Sequence, residues 1–198
     1  KIANEIGYPV MLKSVYGGGG RGIRIVNTDQ ELQDAYETVT AESIAAVGKS
    51  AILVEKFLEK TRHIEYQFAR DTHGNAVHIF ERECSIQRRN QKLIEQTPSP
   101  IMDEETRERI GDLVVNAAHA VDYTNLGTAE FLRADNGEFY FIEINARLQV
   151  EHPITEFVSG LDLVKLQLDI ANGEPIPFKQ SDLKMNGYAI ECRINAED

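Results

Sequence analysis

The feature that most restricts the fold is a pair of strand-like segments joined by the tripeptide Asp135-Asn136-Gly137. An Asn-Gly pair favours a two-residue hairpin turn, so the segments on either side are predicted to pair antiparallel. Counting outward from that turn brings Glu130 opposite Glu143. The sequence therefore predicts two carboxylates that face each other on one side of a sheet.

Two facing carboxylates need a reason to be there. Like charges directly opposite each other destabilise a sheet, and ionised groups beside apolar residues such as Phe131 are costly unless they are paired or bind a metal. Strand alternation also places Asn145 on the same face as Glu143. Two carboxylates and an amide oxygen suit Mg²⁺ or Mn²⁺. The alternatives left open are solvent-exposed strand glutamates and a register that differs by one residue.

The same alternation continues beyond the hairpin. Arg147, Gln149 and Glu151 present a guanidinium, an amide and a carboxylate along one extended face, which predicts a polar site for a small oxyanion. A separate run over residues 87–92 adds cationic charge, for which a solvated charge run is the simpler interpretation.

Residues 17–22 form a glycine-rich segment that formally satisfies G-x-G-x-x-G. A dinucleotide site needs a helix next, but the strand-like residues 23–26 follow, and no Lys-Ser/Thr pair makes a phosphate-binding P-loop. The segment instead predicts a mobile glycine flap between two strands, whose N–H groups could close over phosphates beside Lys13. A surface turn remains the alternative.

The remaining pattern predicts an α+β unit of antiparallel strands with helices packed on them. Thr28 and Glu31 form a capping-box pattern that begins a helix running to about Val47. Two further helices are predicted over about 104–121 and 161–171, the first with an apolar stripe. The predicted strands are residues 8–14, 22–27, 51–58, 63–70, 76–83, 127–134 and 138–145.

Composition excludes several classes of function. Lys and Arg total 21 against 32 Asp and Glu, a net charge of −11, which opposes binding to nucleic acid. No apolar run approaches the roughly 18 residues of a membrane span. The two cysteines form no CxxC pair, which suits a reducing compartment. We therefore expect a soluble protein.

Five segments resemble, in the same order, biotin carboxylase, the ATP-grasp component of biotin-dependent carboxylases of the acetyl-CoA, propionyl-CoA and pyruvate carboxylase type. The segments are KSVYGGGGRGIR, VEKFLEKTRHIEYQ, ERECSIQRRNQK, EFYFIEINARLQVEHPITE and GYAIECRINAED. The resemblance implies an ATP-grasp fold with a small flap-bearing subdomain over about 1–57 and a larger subdomain over about 58–198. It also implies an upstream domain and a downstream remainder outside these residues, so the segment alone is expected to be inactive.

The resemblance assigns roles to individual positions. ATP contacts are implied for Lys13, Gly19, Gly20, Glu55, Lys56, Phe57, Leu58, His63, Gln87, Asn90 and Glu130. The implied metal ligands are Glu130, Glu143 and Asn145. The bicarbonate pocket is implied to comprise Lys92, Arg147, Gln149 and Val150, and the catalytic residues Arg147, Glu151 and Lys92. Asn90 departs from the family, which often has His there.

The implied activity is ATP-dependent carboxylation of biotin by bicarbonate through carboxyphosphate, with Mg²⁺ or Mn²⁺, two ions being expected. The implied partners are a biotin carboxyl carrier and a carboxyltransferase, with a homo-oligomer at full length, in the cytoplasm or, in a eukaryote, the mitochondrial matrix. The acyl acceptor is not encoded in these residues. The alternatives are another ATP-grasp carboxylate-amine ligase, a carbamoyl-phosphate synthetase-like enzyme, or a non-enzymatic nucleotide-binding module.

Overall fold

A computed structural model describes residues 1–16 and 22–196. The chain forms two compact units: Lys1–Lys60 with Arg89–Gln91, and Thr61–Arg88 with Lys92–Asp198. We refer to them as the first and the second unit. None of the helices in the described part of the chain is long and apolar enough to cross a membrane.

The first unit is built on a three-stranded antiparallel sheet with β1 in its centre. Its elements are α1 (Ile2–Ile6), β1 (Val10–Ser14), β2 (Ile23–Val26), α2 (Asp29–Val47) and β3 (Ile52–Lys56). The strand predicted to follow the glycine run is confirmed as β2. The flap prediction for residues 17–21 lies outside the described residues.

The start of α2 is in the predicted place, but the predicted capping box is wrong. Thr28 is the N-cap residue in extended conformation, yet its side chain makes no capping hydrogen bond. Glu31 Oε2 instead accepts from the backbone N–H of Asn27 at 3.0 Å. One of the two reciprocal bonds is thus displaced by one residue.

The second unit is built on a six-stranded sheet in the order β8-β7-β4-β5-β6-β9. The strands are β4 (Arg62–Arg70), β5 (Ala76–Arg88), β6 (Gln91–Thr97), β7 (Asn125–Arg133), β8 (Phe139–Asn145) and β9 (Ala189–Cys192). The helices are α3 (Glu104–Ala120), α4 (His152–Ser159) and α5 (Leu163–Ala171). Strand β6 and helix α4 were not predicted, and β5 is longer than predicted.

The two faces of this sheet differ in chemistry. Ile64, Tyr66 and Phe68 alternate along β4 and enter an apolar cluster with α3 residues such as Ile110 and Val114. The residues between them, Glu65 and Gln67, point to the opposite face and are also fully buried. A buried polar face requires that its charges be paired or hydrogen-bonded.

The apolar stripe predicted for α3 is only partly right. Ile110, Val114 and Ala118 are buried, but Leu113 is 53% exposed and Val121 is 64% exposed. Gly111 lies on the buried face because a Cβ there would come within 2.5 Å of the His78 ring. The imidazole therefore occupies the space that an ordinary helix side chain would fill.

Candidate active site

The hairpin of β7 and β8 places Glu130 directly opposite Glu143, as predicted, by a different route. The predicted two-residue turn is wrong: the Ala134 N–H bonds to the Glu138 carbonyl, which leaves a three-residue loop. A bulge between Glu130 and Phe131 then shifts the register by one residue and restores the predicted pair.

The facing glutamates belong to a longer row across the sheet. Glu65 on β4 lies opposite Glu130 on β7 and opposite Arg82 on β5. The row therefore runs Arg82, Glu65, Glu130, Glu143 over four adjacent strands. Arg82 and Glu65 are fully buried, Glu130 is 7% exposed and Glu143 is exposed. The row changes from a buried ion pair at one end to a solvent-facing carboxylate at the other.

Lys92 joins three carboxylates beside this row. Its Nζ donates to Glu65, to Glu130 Oε1 at 2.9 Å and to Glu151 Oε1 at 2.6 Å. Gln149 Nε2 also donates to Glu130 Oε1 at 2.9 Å. Lys92, Gln149 and Glu151, predicted for the anion pocket and catalysis, thus lie together with the predicted metal ligand Glu130.

The charges in this cluster stabilise one another. Burial alone would raise the pKa of Glu130, but His63, whose Nε2 lies 3.2 Å from Glu130 Oε2, and Lys92 hold it far below its ordinary value. Burial would likewise raise the pKa of Glu65, and Arg82 and Lys92 lower it instead. The pKa of Lys92, which burial alone would lower, is raised by the carboxylates around it, chiefly Glu65. The cluster is therefore held ionised by its own members.

Glu151 is held between two cations at the start of α4. It is the N-cap residue of that helix but makes no side-chain capping bond. Its Oε1 accepts from Lys92, and its Oε2 accepts from Arg193 Nη2 at 2.9 Å. Arg193 Nε in turn donates to Glu95 Oε1 at 2.7 Å. The predicted base thus contacts one predicted residue and one that sequence reasoning missed.

The remaining residues predicted for the metal and the anion are more open to solvent. Asn145 lies opposite Thr128 and donates to Glu130 Oε1 at 3.1 Å. Arg147 is exposed, and its Nη2 lies 3.5 Å from Asn145 Oδ1. Val150 is 62% exposed. Glu143 has no hydrogen-bond or ion-pair partner within the described ranges, so its carboxylate is available to a ligand.

Two residues predicted to contact ATP lie at the other end of the cluster. Gln87 Nε2 lies 3.0 Å from His63 Nδ1, and it donates to the Cys84 carbonyl. Cys84 Sγ and oxygens of Glu65 and Glu151 lie within 4.8 Å of one another. Burial raises the pKa of the Cys84 thiol well above its ordinary value, so this side chain stays protonated.

The other residues predicted to contact ATP belong to the first unit. Lys13 lies on β1 and has no hydrogen-bond or ion-pair partner among the residues described there. Glu55 and Lys56 end β3, and Lys56 Nζ donates to the Gly7 carbonyl at 2.8 Å. The prediction also covered Phe57 and Leu58, which are half-buried after β3, and Asn90, which has a positive φ of 61°. Gly19 and Gly20 lie outside the described residues.

Sequence reasoning missed Glu65, Arg82 and Arg193. Glu65 alternates with Ile64 and Tyr66 in a predicted strand, so its face was readable as polar. The run Glu81-Arg82-Glu83 in the middle of another predicted strand was a signal for buried ion pairing, because isolated charges are costly there. Arg193 carries no comparable signal, since its partners are distant along the chain.

Comparisons with known proteins agree with this geometry. The model of the family "Carbamoyl-phosphate synthase L chain, ATP binding domain" matches residues 1–179. The 2-oxoglutarate carboxylase small subunit of Hydrogenobacter thermophilus is 52% identical over 198 residues, which are 100% of this chain and 42% of that protein. Biotin carboxylase of Haemophilus influenzae is also 52% identical, over 100% of this chain and 44% of that protein.

Solved structures give the same result. The biotin carboxylase domain dimer of Hydrogenobacter thermophilus 2-oxoglutarate carboxylase, in complex with MgADP, ADP and bicarbonate, has a TM-score of 0.95 at 53% identity, covering 100% of this chain and 44% of that one. A biotin carboxylase–ATP complex from Campylobacter jejuni has a TM-score of 0.95 at 48% identity, covering 99% and 44%.

The chain thus spans less than half the length of these relatives. The family match and the two antiparallel sheets together identify it as a member of the carbamoyl-phosphate synthase L chain ATP-binding domain family, with the ATP-grasp fold of its biotin carboxylase relatives.

Proposed function

We propose that this chain supplies the ATP, metal and bicarbonate site of a biotin carboxylase, a ligase that carboxylates biotin at the expense of ATP. The observation that carries the proposal is the cluster of Lys92, Glu130, Gln149 and Glu151, in which one ammonium group joins three carboxylates. Relatives named biotin carboxylase, and a structural neighbour in complex with MgADP and bicarbonate, support it.

The residues proposed for the metal have the right chemistry for Mg²⁺. Glu130 and Glu143 face each other across the hairpin, and Asn145 adds an amide oxygen next to them. A set of oxygen donors suits Mg²⁺ or Mn²⁺ and is unsuited to zinc. Such an ion, when bound, would neutralise charge on the ATP phosphates. Glu143 is the ligand that is free in this structure, whereas Glu130 would exchange a present donor for the ion.

Bicarbonate is proposed to bind between Lys92, Arg147 and Gln149. Gln149 uses one N–H for Glu130, which leaves the second amide N–H for an oxyanion. The exposed Arg147 has only weak contacts of 3.3 Å and 3.5 Å, so its guanidinium can turn towards the anion at little cost. The backbone of Val150 completes the proposed pocket.

Glu151 is the proposed base that takes the proton of bicarbonate. A general base must come within hydrogen-bond reach of that proton. The Lys92 contact places Glu151 Oε1 beside the proposed pocket. Bicarbonate oxygen would then attack the γ-phosphate of ATP to give carboxyphosphate, which releases CO₂ for transfer to biotin. Excluding water protects this labile intermediate, a role we assign to the glycine flap.

The remaining ATP contacts are proposed from the first unit, on Lys13, Gly19, Gly20 and Asn90 and on the segment 55–58, and from the second unit, on His63 and Gln87. A biotinyl carrier, a carboxyltransferase, a homo-oligomeric state and a cytoplasmic location complete the proposal. They are supported by relatives that are subunits of pyruvate and 2-oxoglutarate carboxylases. The division into parts of about 1–57 and 58–198 is retained as a proposal.

The test supplies the complete gene product that carries these residues with MgATP, [¹⁴C]bicarbonate and free biotin. The expected result is acid-labile ¹⁴C on biotin and ADP formation that requires both bicarbonate and biotin. ADP formation that instead requires ammonia or glutamine, with no ¹⁴C on biotin, would contradict the proposal in favour of the carbamoyl-phosphate alternative.

A further inference from the structure

The most completely hydrogen-bonded side chain in the second unit is Arg82, which lies beneath the cluster. It is fully buried, at 0% exposure. Its Nε donates to Glu65 Oε1 at 2.6 Å. Its two Nη atoms donate to Gln67 Oε1 at 2.9 Å, Thr155 Oγ1 at 2.9 Å, Gln149 Oε1 at 3.0 Å and Thr128 Oγ1 at 3.4 Å.

These contacts use the entire donor capacity of the side chain. A guanidinium group has five N–H donors, and Arg82 has five acceptors. No N–H remains for a substrate, so Arg82 acts through its neighbours and not by contact with a reacting group. A lysine, with three donors and no planar fork, cannot satisfy the same set.

Two of the five acceptors lead directly to the proposed bicarbonate pocket. By binding Gln149 Oε1, Arg82 orients the amide so that its NH₂ group faces Glu130 and the pocket. By binding Glu65 Oε1, it holds the carboxylate whose other oxygen accepts from Lys92. The two proposed anion donors, Gln149 and Lys92, are therefore positioned from one buried group.

A third acceptor joins the same group to helix α4. Thr155 lies one helical turn after Glu151 and is 1% exposed. Its hydroxyl accepts from Arg82 Nη1, so the helix that begins at the proposed base is tied to the sheet at this point. Arg82 thereby fixes the distance between the base and the anion donors.

We propose that Arg82 is a positioning residue for bicarbonate, which sets the geometry of Gln149, Lys92 and Glu151 without contacting the substrate. This inference rests on the proposed function. A displacement of about 1 Å in such groups can cost about 10²-fold in rate. Loss of Arg82 should therefore reduce kcat/KM for bicarbonate much more than it alters nucleotide binding.

Arg107 provides a matched control. It is also a buried arginine, paired with Glu81 through two nitrogens at 2.7 Å and 3.0 Å, and it contacts no residue of the proposed pocket. Arg82→Lys and Arg107→Lys would be compared in the complete gene product by steady-state kinetics, ATP titration and thermal melting. We expect Arg82→Lys to lower kcat/KM for bicarbonate by about 10²-fold with ATP affinity retained, and Arg107→Lys to lower only the melting temperature.

A milder pair of variants keeps the test valid if Arg82→Lys does not fold. Thr155→Val removes one acceptor of Arg82 at constant volume, and Thr155→Ser retains the hydroxyl. We expect a loss in kcat/KM for bicarbonate in Thr155→Val that Thr155→Ser restores. Unchanged kcat/KM in Arg82→Lys and Thr155→Val, or an equal loss in Arg107→Lys, would overturn the inference alone. Wild-type protein without bicarbonate-dependent turnover would overturn the proposed function and this inference with it.

Discussion

Replacement of Lys92 by Met tests whether one ammonium group holds the buried carboxylates together. Lys92 Nζ contacts Glu65, Glu130 and Glu151, and its side chain is only 13% exposed. Methionine retains most of the packing volume but leaves the carboxylates without this partner. Breaking a buried ion pair by removal of one member costs about 3–5 kcal/mol. Since about 1.4 kcal/mol corresponds to a factor of ten, local opening should become about 10²- to 10³-fold more frequent.

Native-state hydrogen exchange in strands β4 and β7 of the complete gene product measures this opening. Without the ammonium group, burial is no longer opposed and the pKa values of the carboxyl groups rise, so the loss of protection should be larger at pH 7 than at pH 5. Lys165→Met serves as a control, because Lys165 forms an exposed i,i+4 pair with Asp169 and its loss should leave these strands unchanged. A loss of protection below about tenfold, or an equal loss in both variants, would refute the reasoning.

Three further predictions concern single residues. Gly111→Ala should destabilise the protein by about 1–3 kcal/mol, because its Cβ would meet the His78 ring at 2.5 Å; a urea midpoint at or above that of the exposed-site control Asn116→Ala would contradict this. Burial lowers the pKa of His78, so the unfolded state takes up a proton that the folded state does not, and stability should fall as pH drops below about 6.5. Urea midpoints at pH 8 and pH 5.5 should show this fall and His78→Phe should diminish it, and an identical pH dependence in both proteins would exclude His78 as the cause. Arg147→Ala should lower biotin-dependent ATP cleavage by about 10²-fold while ATP titration and thermal melting stay normal, and loss of activity only alongside unfolding would remove Arg147 from the catalytic residues.

Much of the fold was predictable because periodicity and turn residues act locally. The long helices α2 and α3 and seven of the nine strands follow from such signals. Strand β6 was missed because its charged residues read as a solvated run, whereas Lys92 is drawn into the sheet by three carboxylates. Helix α4 is only eight residues long, too short for a periodic pattern to stand out.

The hairpin shows how a correct pair can rest on incomplete reasoning. Counting from Asn136-Gly137 assumed a two-residue turn, and the actual loop has three residues. The bulge next to Glu130 compensates for this difference, and local turn rules do not predict it. The site residues of the central strands were readable only in part, because Arg82 and Glu65 look like ordinary strand charges until the register of β4 and β5 brings them together.

The central claim is that this site activates bicarbonate with ATP. The most direct test supplies the complete gene product with ¹⁸O-labelled bicarbonate, MgATP and biotin, and analyses the released phosphate by mass spectrometry. Attack of a bicarbonate oxygen on the γ-phosphate would carry one ¹⁸O atom into each phosphate, as the account predicts. Phosphate that contains only solvent oxygen, formed at the same rate without bicarbonate, would contradict it.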